Sequence, residues 1–183
     1  EAEVIVKEPD PKDLEPSEEE KFEEAVHEYV SSLPIEDKVA GLFIVTPESI
    51  TNVETVIRAV EGTKAALEKY PVGGIIYATK NINSEAQFKE MLSNTISMSK
   101  YPIFLTANEE LNSAPIGNAL KYGATKSERE IGNTMNPKEA YDQSSIIADY
   151  LSKLGINLNL GITCDLVVND DNNTLGTNVF GLD

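Results

Sequence analysis

Apolar residues between positions 41 and 162 follow two alternating patterns. Four short, nearly continuous apolar runs predict buried strands over 41–45, 72–77, 102–106 and 156–162. Amphipathic stretches between these runs predict helices over 52–70, 84–100 and 136–154. Buried strands that alternate with amphipathic helices are typical of βαβ units, in which helices cover both faces of a parallel sheet. The fold class predicted from this pattern is α/β.

A further helix is predicted ahead of the first strand. Ser17 and Glu20 have the spacing of a capping box, and apolar side chains recur at helical spacing as far as Val30. These features predict a helix over residues 18–32. Pro34 follows its end, and residues 35–40 are predicted to form a short helical turn before the first strand.

The number of predicted strands limits the possible architectures. An eight-stranded barrel needs twice as many strands as this pattern supplies. After Ile162 the sequence continues as a polar segment to Asp183. The pattern therefore leaves two alternatives, a small open sheet or part of a larger barrel-like structure.

Composition places the chain among globular proteins and restricts its partners. Its 183 residues are 40% apolar, which is enough for a sizeable core in a domain of ordinary size. Fifteen Lys and Arg residues against 31 Asp and Glu residues give a formal net charge of −16, which disfavours nucleic acid and anionic membrane surfaces as partners. No apolar run reaches the roughly 18–20 residues of a membrane span. We therefore expect neither nucleic-acid binding nor a membrane-spanning segment.

About half of the net charge lies at the start of the chain. Residues 1–24 contain eleven acidic residues and three lysines, interrupted by Pro9, Pro11 and Pro16. Proline and like-charge repulsion favour an extended, solvated segment. We interpret it as a spacer that tethers a folded domain outside the cell or at the cell surface, and the alternative is a disordered tail without a role.

The chain has only one cysteine and one histidine, which excludes several kinds of disulfide and metal site. One cysteine, Cys164, excludes an intramolecular disulfide, and with one histidine, His27, it excludes the usual Cys/His zinc frameworks. His27 has charged neighbours on the first predicted helix and is expected on the surface. Cys164 follows an apolar strand and is expected to be a small buried side chain. No metal or cofactor is predicted.

Ligands of parallel α/β folds bind at the loops that follow the carboxyl ends of the strands. The loop after the third predicted strand contains Glu109 and Glu110. Two carboxylates could act as acid and base, but adjacent side chains diverge, whereas a working pair must face one substrate across a gap of several ångströms. The favoured interpretation is one polar ligand and one solvated carboxylate or helix cap.

Two further motifs allow a structural and a functional interpretation. The loop after the fourth strand is rich in Asp and Asn between Asp165 and Asn173, but it lacks the regular calcium-binding frame, and Asx-turns are favoured over calcium. Gly73 and Gly74 lie inside a predicted strand, where close packing is favoured over a phosphate-binding role.

Four segments carry a family resemblance. They are residues 32–45 (SLPIEDKVAGLFIV), residues 70–77 (YPVGGIIY) followed by Lys80, Asn81 and Ile82, the LGINLN of residues 154–159, and the group Asp165, Asn169, Gly176, Phe180 and Gly181. In this order they resemble the N-terminal barrel domain of glycoside hydrolase family 3, especially its β-N-acetylhexosaminidase branch. The resemblance divides the chain into an acidic arm with the first helix, residues 1–31, and a half-barrel, residues 32–183.

The resemblance implies a (β/α)₈ barrel that hydrolyses a terminal β-linked sugar with retention of configuration. The nucleophile and the general acid/base of the family lie in loops later than Asp183, so no catalytic residue is assigned to this chain and we expect it to be inactive by itself. The resemblance implies a fold of (β/α) repeats with about four strands, a partial barrel. No cofactor is implied.

The aligned sugar-binding positions are Lys80, Asn108, Glu110, Asp165 and Asn178. Where the family has Asp-Gln-Glu-Gly-Gly, this chain has Asn108, Glu109, Glu110, Leu111 and Asn112 in order. Asn178 replaces the family's arginine, which removes a bidentate cation. Asp165 and, more loosely, Lys80 match the family.

Two functions follow from the resemblance and these departures. The first is the N-terminal part of a family 3-like glycoside hydrolase of the β-N-acetylhexosaminidase or β-glucosidase type. The second is a non-catalytic cell-surface module that binds a β-linked glycan or a protein. Because a half-barrel exposes two strand edges and apolar inner faces, we also expect the chain to form a dimer or to pair with a missing C-terminal half.

Overall fold

The computed structural model describes residues 16–167, 174 and 176–181. The described ranges leave out the first fifteen residues and most of the Asp- and Asn-rich loop, including Asn169. The predictions made for these residues therefore concern residues outside the described ones. The chain divides into two compact units, one up to Lys38 and one from Val39 onward. The predicted boundary between residues 31 and 32 stays a prediction.

The first unit contains α1 (Glu18–Ser32) and the start of α2 (Ile35–Ala40), as predicted. Ser17 accepts a hydrogen bond from the Glu20 backbone N–H, and the Glu20 carboxylate accepts one from the Ser17 backbone N–H. This capping box satisfies donors that the first turn of a helix leaves unpaired. His27 is exposed, as expected.

The second unit is built on four parallel strands in sequential order: β1 (Ile44–Val45), β2 (Gly74–Ile76), β3 (Phe104–Ala107) and β4 (Leu158–Asn159). Each strand lies inside or across the end of a predicted one and is shorter than predicted. The α/β prediction and the parallel sheet are confirmed. Asparagine side chains add to the pairing of the last two strands, since Asn157 Oδ1 accepts from the Leu105 N–H at 2.9 Å.

Helices fill the connections between the strands. They are α3 (Pro47–Thr51), α4 (Glu61–Lys69), α5 (Glu85–Met98), α6 (Pro115–Leu120), α7 (Glu128–Gly132) and α8 (Pro137–Leu154), with a 3₁₀ turn over Thr79–Asn81. The predictions for α5 and α8 are confirmed. The single helix predicted over 52–70 is wrong in its first half, where residues 52–60 are not helical.

The core lies on one face of the sheet. Ile75 and Leu105, which are adjacent in register, are 1% and 0% exposed. Helices α4, α5 and α8 cover them with Leu67, Phe88, Leu92, Ile147 and Leu151, all buried in the same cluster. Burial of large apolar side chains on this face supplies the main driving force for folding of the second unit.

The opposite face of the sheet is not covered in the same way. Side chains alternate between faces along a strand, so Ile44 and Phe104 share one face with Ile76 and Leu158. Ile44 is 38% exposed and Phe104 is 53% exposed. We call these four residues the open sheet face. In a closed barrel the corresponding side chains fill the interior.

A close backbone approach explains the glycine pair, Gly73 and Gly74, at the start of β2. A Cβ atom at Gly73 would lie 2.1 Å from the carbonyl oxygen of Gly41, and one at Gly74 would touch Ile44 and Phe104 at about 3.0 Å. The packing interpretation of the pair is therefore confirmed. Within the described part of the chain, no helix is long and apolar enough to cross a membrane.

Candidate functional site

Parallel strands place their carboxyl ends, and the loops that follow, along one edge of the sheet. Lys80 follows β2, Asn108 and Glu110 follow β3, and Asp165 follows β4. Asn178 belongs to a segment that returns to this region, because the Phe180 N–H donates to the Asp165 carbonyl at 3.3 Å. We call these five predicted residues the strand-end site.

Glu109, between two members of the strand-end site, is a buried structural carboxylate. It is 1% exposed, and its oxygens accept from the backbone N–H groups of Ile116 and Gly117, both at 2.9 Å. These are unpaired donors of the first turn of α6, so Glu109 acts as its cap from outside the helix. The prediction that one member of the Glu109/Glu110 pair is a helix cap is confirmed.

A tyrosine completes the coordination of Glu109. The Tyr150 hydroxyl on α8 donates to Glu109 Oε2 at 2.6 Å. Burial and the Glu109 carboxylate raise the pKa of Tyr150, so the hydroxyl stays protonated and remains a donor. Three donors engage the two Glu109 oxygens, and the residue is buried away from solvent.

The Glu109 backbone is fixed as firmly as its side chain. Asn159 of β4 accepts from the Glu109 N–H and donates to the Glu109 carbonyl, both at 2.9 Å. A Cβ atom at Gly161 would lie 2.2 Å from the same carbonyl oxygen. Asn159, which belongs to the LGINLN motif, thus holds the loop after β3 against the loop after β4.

The side chain of Glu110 also connects the loop after β3 to the loop after β4. Its oxygens accept from the Thr163 N–H at 2.7 Å and from the Thr163 hydroxyl at 2.9 Å. The residue is half-buried. The structure therefore brings Glu110 into contact with the segment that leads to Asp165, and both of its oxygens are engaged. A solvated carboxylate at this position is not observed.

Lys80 pairs with an acidic residue that the sequence analysis did not identify. Its ammonium lies 3.2 Å from Glu48 Oε2 on α3, and the Glu48 side chain is 10% exposed. Desolvation opposes the charge of Glu48, but hydrogen bonds from the Val56 N–H and from Asn81, together with Lys80, hold the pKa of its carboxyl below the usual range. The Lys80 side chain remains half-exposed.

A second unexpected carboxylate lies beneath the loop after β3. Glu128 on α7 is fully buried, and its Oε1 accepts from the Leu111 N–H at 3.1 Å. Its Oε2 has no hydrogen-bond partner among the described residues. Burial, and then the neighbouring charge of Glu110, raise the pKa of Glu128, although the Leu111 hydrogen bond opposes this shift. Glu128 therefore favours the protonated state more than an exposed glutamate does.

The remaining predicted residues leave polar groups facing solvent. Asn108 and Asp165 are exposed, and Asn178 is half-buried. Leu111, which replaces a family glycine, is fully buried in the core and does not face this edge. Asn112 replaces the next glycine and has φ of 61°, a left-handed conformation that asparagine tolerates better than most residues.

The fold overturns one expectation about a reactive residue. Cys164 is exposed, so the expectation of a buried cysteine is wrong. The strand predicted ahead of Cys164 ends at Asn159, five residues earlier, and Cys164 lies in the loop beyond it. Among the described residues, no group of three or more His, Cys, Asp or Glu side chains is arranged to hold a metal ion.

Solved structures match the fold of this chain. A glycoside hydrolase family 3 β-N-acetylglucosaminidase from Paenibacillus sp. FPU-7 is 21% identical with a TM-score of 0.67, over 82% of this chain and 28% of that one. A family 3 glycosyl hydrolase from Mycobacterium smegmatis is 21% identical with a TM-score of 0.63, over 83% of this chain and 43% of that one. NagZ from Neisseria gonorrhoeae, in complex with N-trifluoroacetyl-D-glucosamine, is 17% identical with a TM-score of 0.60, over 78% and 42%.

These matches confirm the resemblance to the family 3 N-terminal domain at the level of the fold, and with it the partial-barrel prediction. No family model matches the sequence, and no curated protein matches it significantly. The chain spans about a quarter to two-fifths of the length of these neighbours.

Proposed function

We propose that the chain is the N-terminal part of a glycoside hydrolase family 3-like protein and that its strand-end site binds a β-linked N-acetylhexosamine glycan. The shared fold supports this proposal, because the neighbours include β-N-acetylglucosaminidases and a NagZ complex with a glucosamine derivative. The observation that carries it is the polar edge left by Asn108 and Asp165. Both side chains are exposed beside loops that hydrogen bonds hold in place.

We further propose that this chain by itself binds the glycan without hydrolysing it. Retaining glycosidases need two carboxyl groups that flank the scissile bond, one as nucleophile and one as acid/base. Glu109 is occupied by three donors and Glu110 by two, while Glu128 is fully buried. Glu109, Glu110 and Glu128 thus maintain the fold, and Asp165, the exposed carboxylate of the strand-end site, is one group where this reaction needs two.

A non-catalytic binding module is the second candidate function. The amide of Asn108 stands where the family has a carboxylate, and Asn178 stands where it has an arginine. An amide both donates and accepts hydrogen bonds to hydroxyl groups, but it cannot form the strong charge-assisted bonds of the residues it replaces. These two positions favour weak recognition over catalysis, with a glycan or a protein as the ligand at a cell surface.

A titration combined with an activity assay tests both glycan binding and the absence of hydrolysis. We would add methyl N-acetyl-β-D-glucosaminide to the ¹⁵N-labelled chain and follow the backbone amides by NMR, while a fluorogenic N-acetyl-β-glucosaminide reports hydrolysis. We expect saturable shifts at residues 106–110 and 163–165 without turnover. Turnover by the purified chain would contradict the inactive state, and the absence of saturable shifts would contradict glycan binding.

Two variants each remove one aspartate charge, one at the strand-end site and one on the surface of α8. Asp165→Asn removes an exposed carboxylate at the strand-end site, and we expect it to weaken binding about tenfold, as loss of a charge-assisted hydrogen bond does. Asp149→Asn is the matched control, because Asp149 lies on α8 and pairs with Lys153 at the surface. Such pairs contribute little to stability, so binding should be unchanged.

A further inference from the structure

A groove of about 570 Å³ lies between α7, the first turn of α8 and residues 180–181. Its walls are held together by the backbone. The Arg129 N–H donates to the Thr177 carbonyl at 3.2 Å, and the Val167 N–H donates to the Gly181 carbonyl at 3.0 Å. A Cβ atom at Gly132 would lie 1.5 Å from the Phe180 carbonyl oxygen, so glycine is required for this approach.

The groove does not belong to the strand-end site. Its described lining consists of residues 129, 131–133, 135–137, 140, 180 and 181. Neither Lys80 nor Asn108, Glu110, Asp165 or Asn178 lines it. A ligand in this groove is therefore separate from a glycan at the strand ends, and nothing proposed above requires it.

The lining combines an apolar surface with one cation. Ile131, Ala140 and Phe180 supply the floor and also contact the core, and Met135, 88% exposed, extends the apolar surface at the rim. Sites of this size with a mostly apolar lining and a few polar groups are typical of small-molecule binding. Arg129 supplies the positive charge.

Arg129 has no carboxylate partner in the part of the chain that the structure describes. The side chain is half-buried, and it makes no ion pair with any residue in the described ranges. Lysines on both sides of it in the sequence do pair, Lys126 with Glu139 and Lys138 with Asp142. In a chain with a net charge of −16, a half-buried arginine that pairs with none of the described carboxylates is an unusual arrangement.

We propose that this groove binds a small monocarboxylate that carries an apolar group. The planar guanidinium of Arg129 presents paired donors that match a carboxylate. The apolar body of the ligand would contact Ile131, Ala140 and Phe180 and would be removed from water. The negative field of the whole chain repels a multiply charged anion, such as a phosphate monoester, more strongly than a singly charged one. The groove therefore favours a ligand with a single carboxylate.

Phenylacetate is a suitable probe, because it has one carboxylate and one apolar ring. In a ¹⁵N NMR titration of the full chain we expect saturable shifts at the Arg129 side chain and at the amides of residues 131–133 and 180–181. The neutral analogue 2-phenylacetamide should bind at least about tenfold more weakly, because it loses the charge-assisted pair. Equal binding of the two compounds, or no saturable shift with phenylacetate, would overturn the proposal.

Variants test the role of the arginine and of the groove. Arg129→Gln should weaken phenylacetate binding about tenfold or more, whereas Arg58→Gln removes an exposed arginine outside the groove and should leave binding unchanged. Equal weakening by both variants would overturn the proposal, since it would indicate a long-range charge effect. If Arg129→Gln fails to fold, Ala140→Phe, which fills the floor, should abolish binding. Retained affinity in that variant would count against the groove.

Discussion

Glu109 links three parts of the second unit through one buried carboxylate. The Glu109→Gln variant keeps the size of the side chain but turns an amide NH₂ group toward donors at Ile116, Gly117 or Tyr150. Loss of a charge-assisted acceptor in a buried site costs about 2–3 kcal/mol. We expect the free energy of unfolding in urea to fall by that amount.

The control for this prediction is the exposed neighbour. Asn108→Ala should change the free energy of unfolding by less than about 0.5 kcal/mol, because surface substitutions without special contacts have small effects. If Glu109→Gln is as mild as Asn108→Ala, the structural role assigned to Glu109 is wrong, and a catalytic role becomes possible again.

Glu128 gives the second unit a pH dependence of stability. Burial and the charge of Glu110 raise its pKa in the folded state. Its contribution to stability is therefore fully present below the unfolded-state pKa of about 4.3 and is lost as pH rises through the higher folded-state value. The glutamine of the Glu128→Gln variant does not ionise, so the variant does not lose this stability as pH rises. In urea unfolding experiments, its free energy of unfolding relative to the parent chain should therefore increase between pH 4 and pH 7.

Glu130, on the same helix, should behave in the opposite way. The backbone N–H and then the hydroxyl of Ser127 lower its pKa. Its contribution is present above the unfolded-state pKa and is lost as pH falls, so the Glu130→Gln variant should approach the parent stability at low pH. Parallel pH profiles for the Glu128 and Glu130 variants would contradict the assignment of Glu128.

At the scale of elements, β2 depends on the glycine that meets Gly41. Gly73→Ala places a Cβ atom 2.1 Å from a backbone oxygen, which cannot move aside as a side chain can. We expect the free energy of unfolding to fall by about 2–3 kcal/mol from overpacking. Gly62→Ala in α4 is the matched control, since nothing lies within 4 Å of its Cβ position.

Gly62→Ala should stabilise the chain by up to about 1 kcal/mol, because alanine favours the helix. Thermal unfolding of the two variants should therefore shift Tm in opposite directions. A Gly73→Ala variant whose Tm equals or exceeds that of the parent would mean that the close approach between Gly41 and Gly73 does not exist in solution.

Local sequence signals predicted the elements that are stabilised locally. Ser17, Ser84 and Asn136 cap α1, α5 and α8 in the structure, and their helical patterns were clear in the sequence. Ser127 and Glu130 have the same spacing, and their capping box begins α7. This local signal in the sequence indicates the helix that contains Glu128 and Arg129.

Residues 52–60 could not be predicted from periodicity, because distant side chains determine their backbone. The Val56 N–H donates to Glu48, the Val56 carbonyl accepts from Asn81, and the Ile57 carbonyl accepts from Gln87. These contacts replace the hydrogen bonds of a helix. Several residues of the segment are β-branched, which weakens its helix propensity.

The strand-end site was predictable in position but not in chemistry. Parallel topology alone places Lys80, Asn108, Glu110 and Asp165 along one edge. Glu109 caps α6, and Glu110 accepts hydrogen bonds from Thr163. These roles depend on contacts between residues up to 53 positions apart. No local pattern reports such contacts.

At the scale of the whole molecule, the open sheet face predicts association. Phe104 and Ile44 expose apolar surface that a complete barrel would bury. We expect the purified chain, of 20.0 kDa, to sediment at about twice this mass, as two half-barrels that cover each other. The extracellular or cell-surface location stays a prediction.

Phe104→Asp should convert the dimer to a monomer in analytical ultracentrifugation, because it places a charge on the open sheet face. Ile146→Asp, at a 40% exposed position on α8, adds the same charge elsewhere and should remain a dimer. A parent chain that sediments as a monomer would contradict the association, and pairing would then require a different polypeptide.

The central claim is that the strand-end site binds a glycan while Glu109, Glu110 and Glu128 maintain the fold. A crystal structure of the chain with methyl N-acetyl-β-D-glucosaminide tests it most directly. We predict the intact glycoside beside Asn108 and Asp165, with Glu109 still bonded to Ile116, Gly117 and Tyr150. A sugar in contact with a released Glu109 carboxylate, or an edge without sugar at saturating concentration, would contradict the claim.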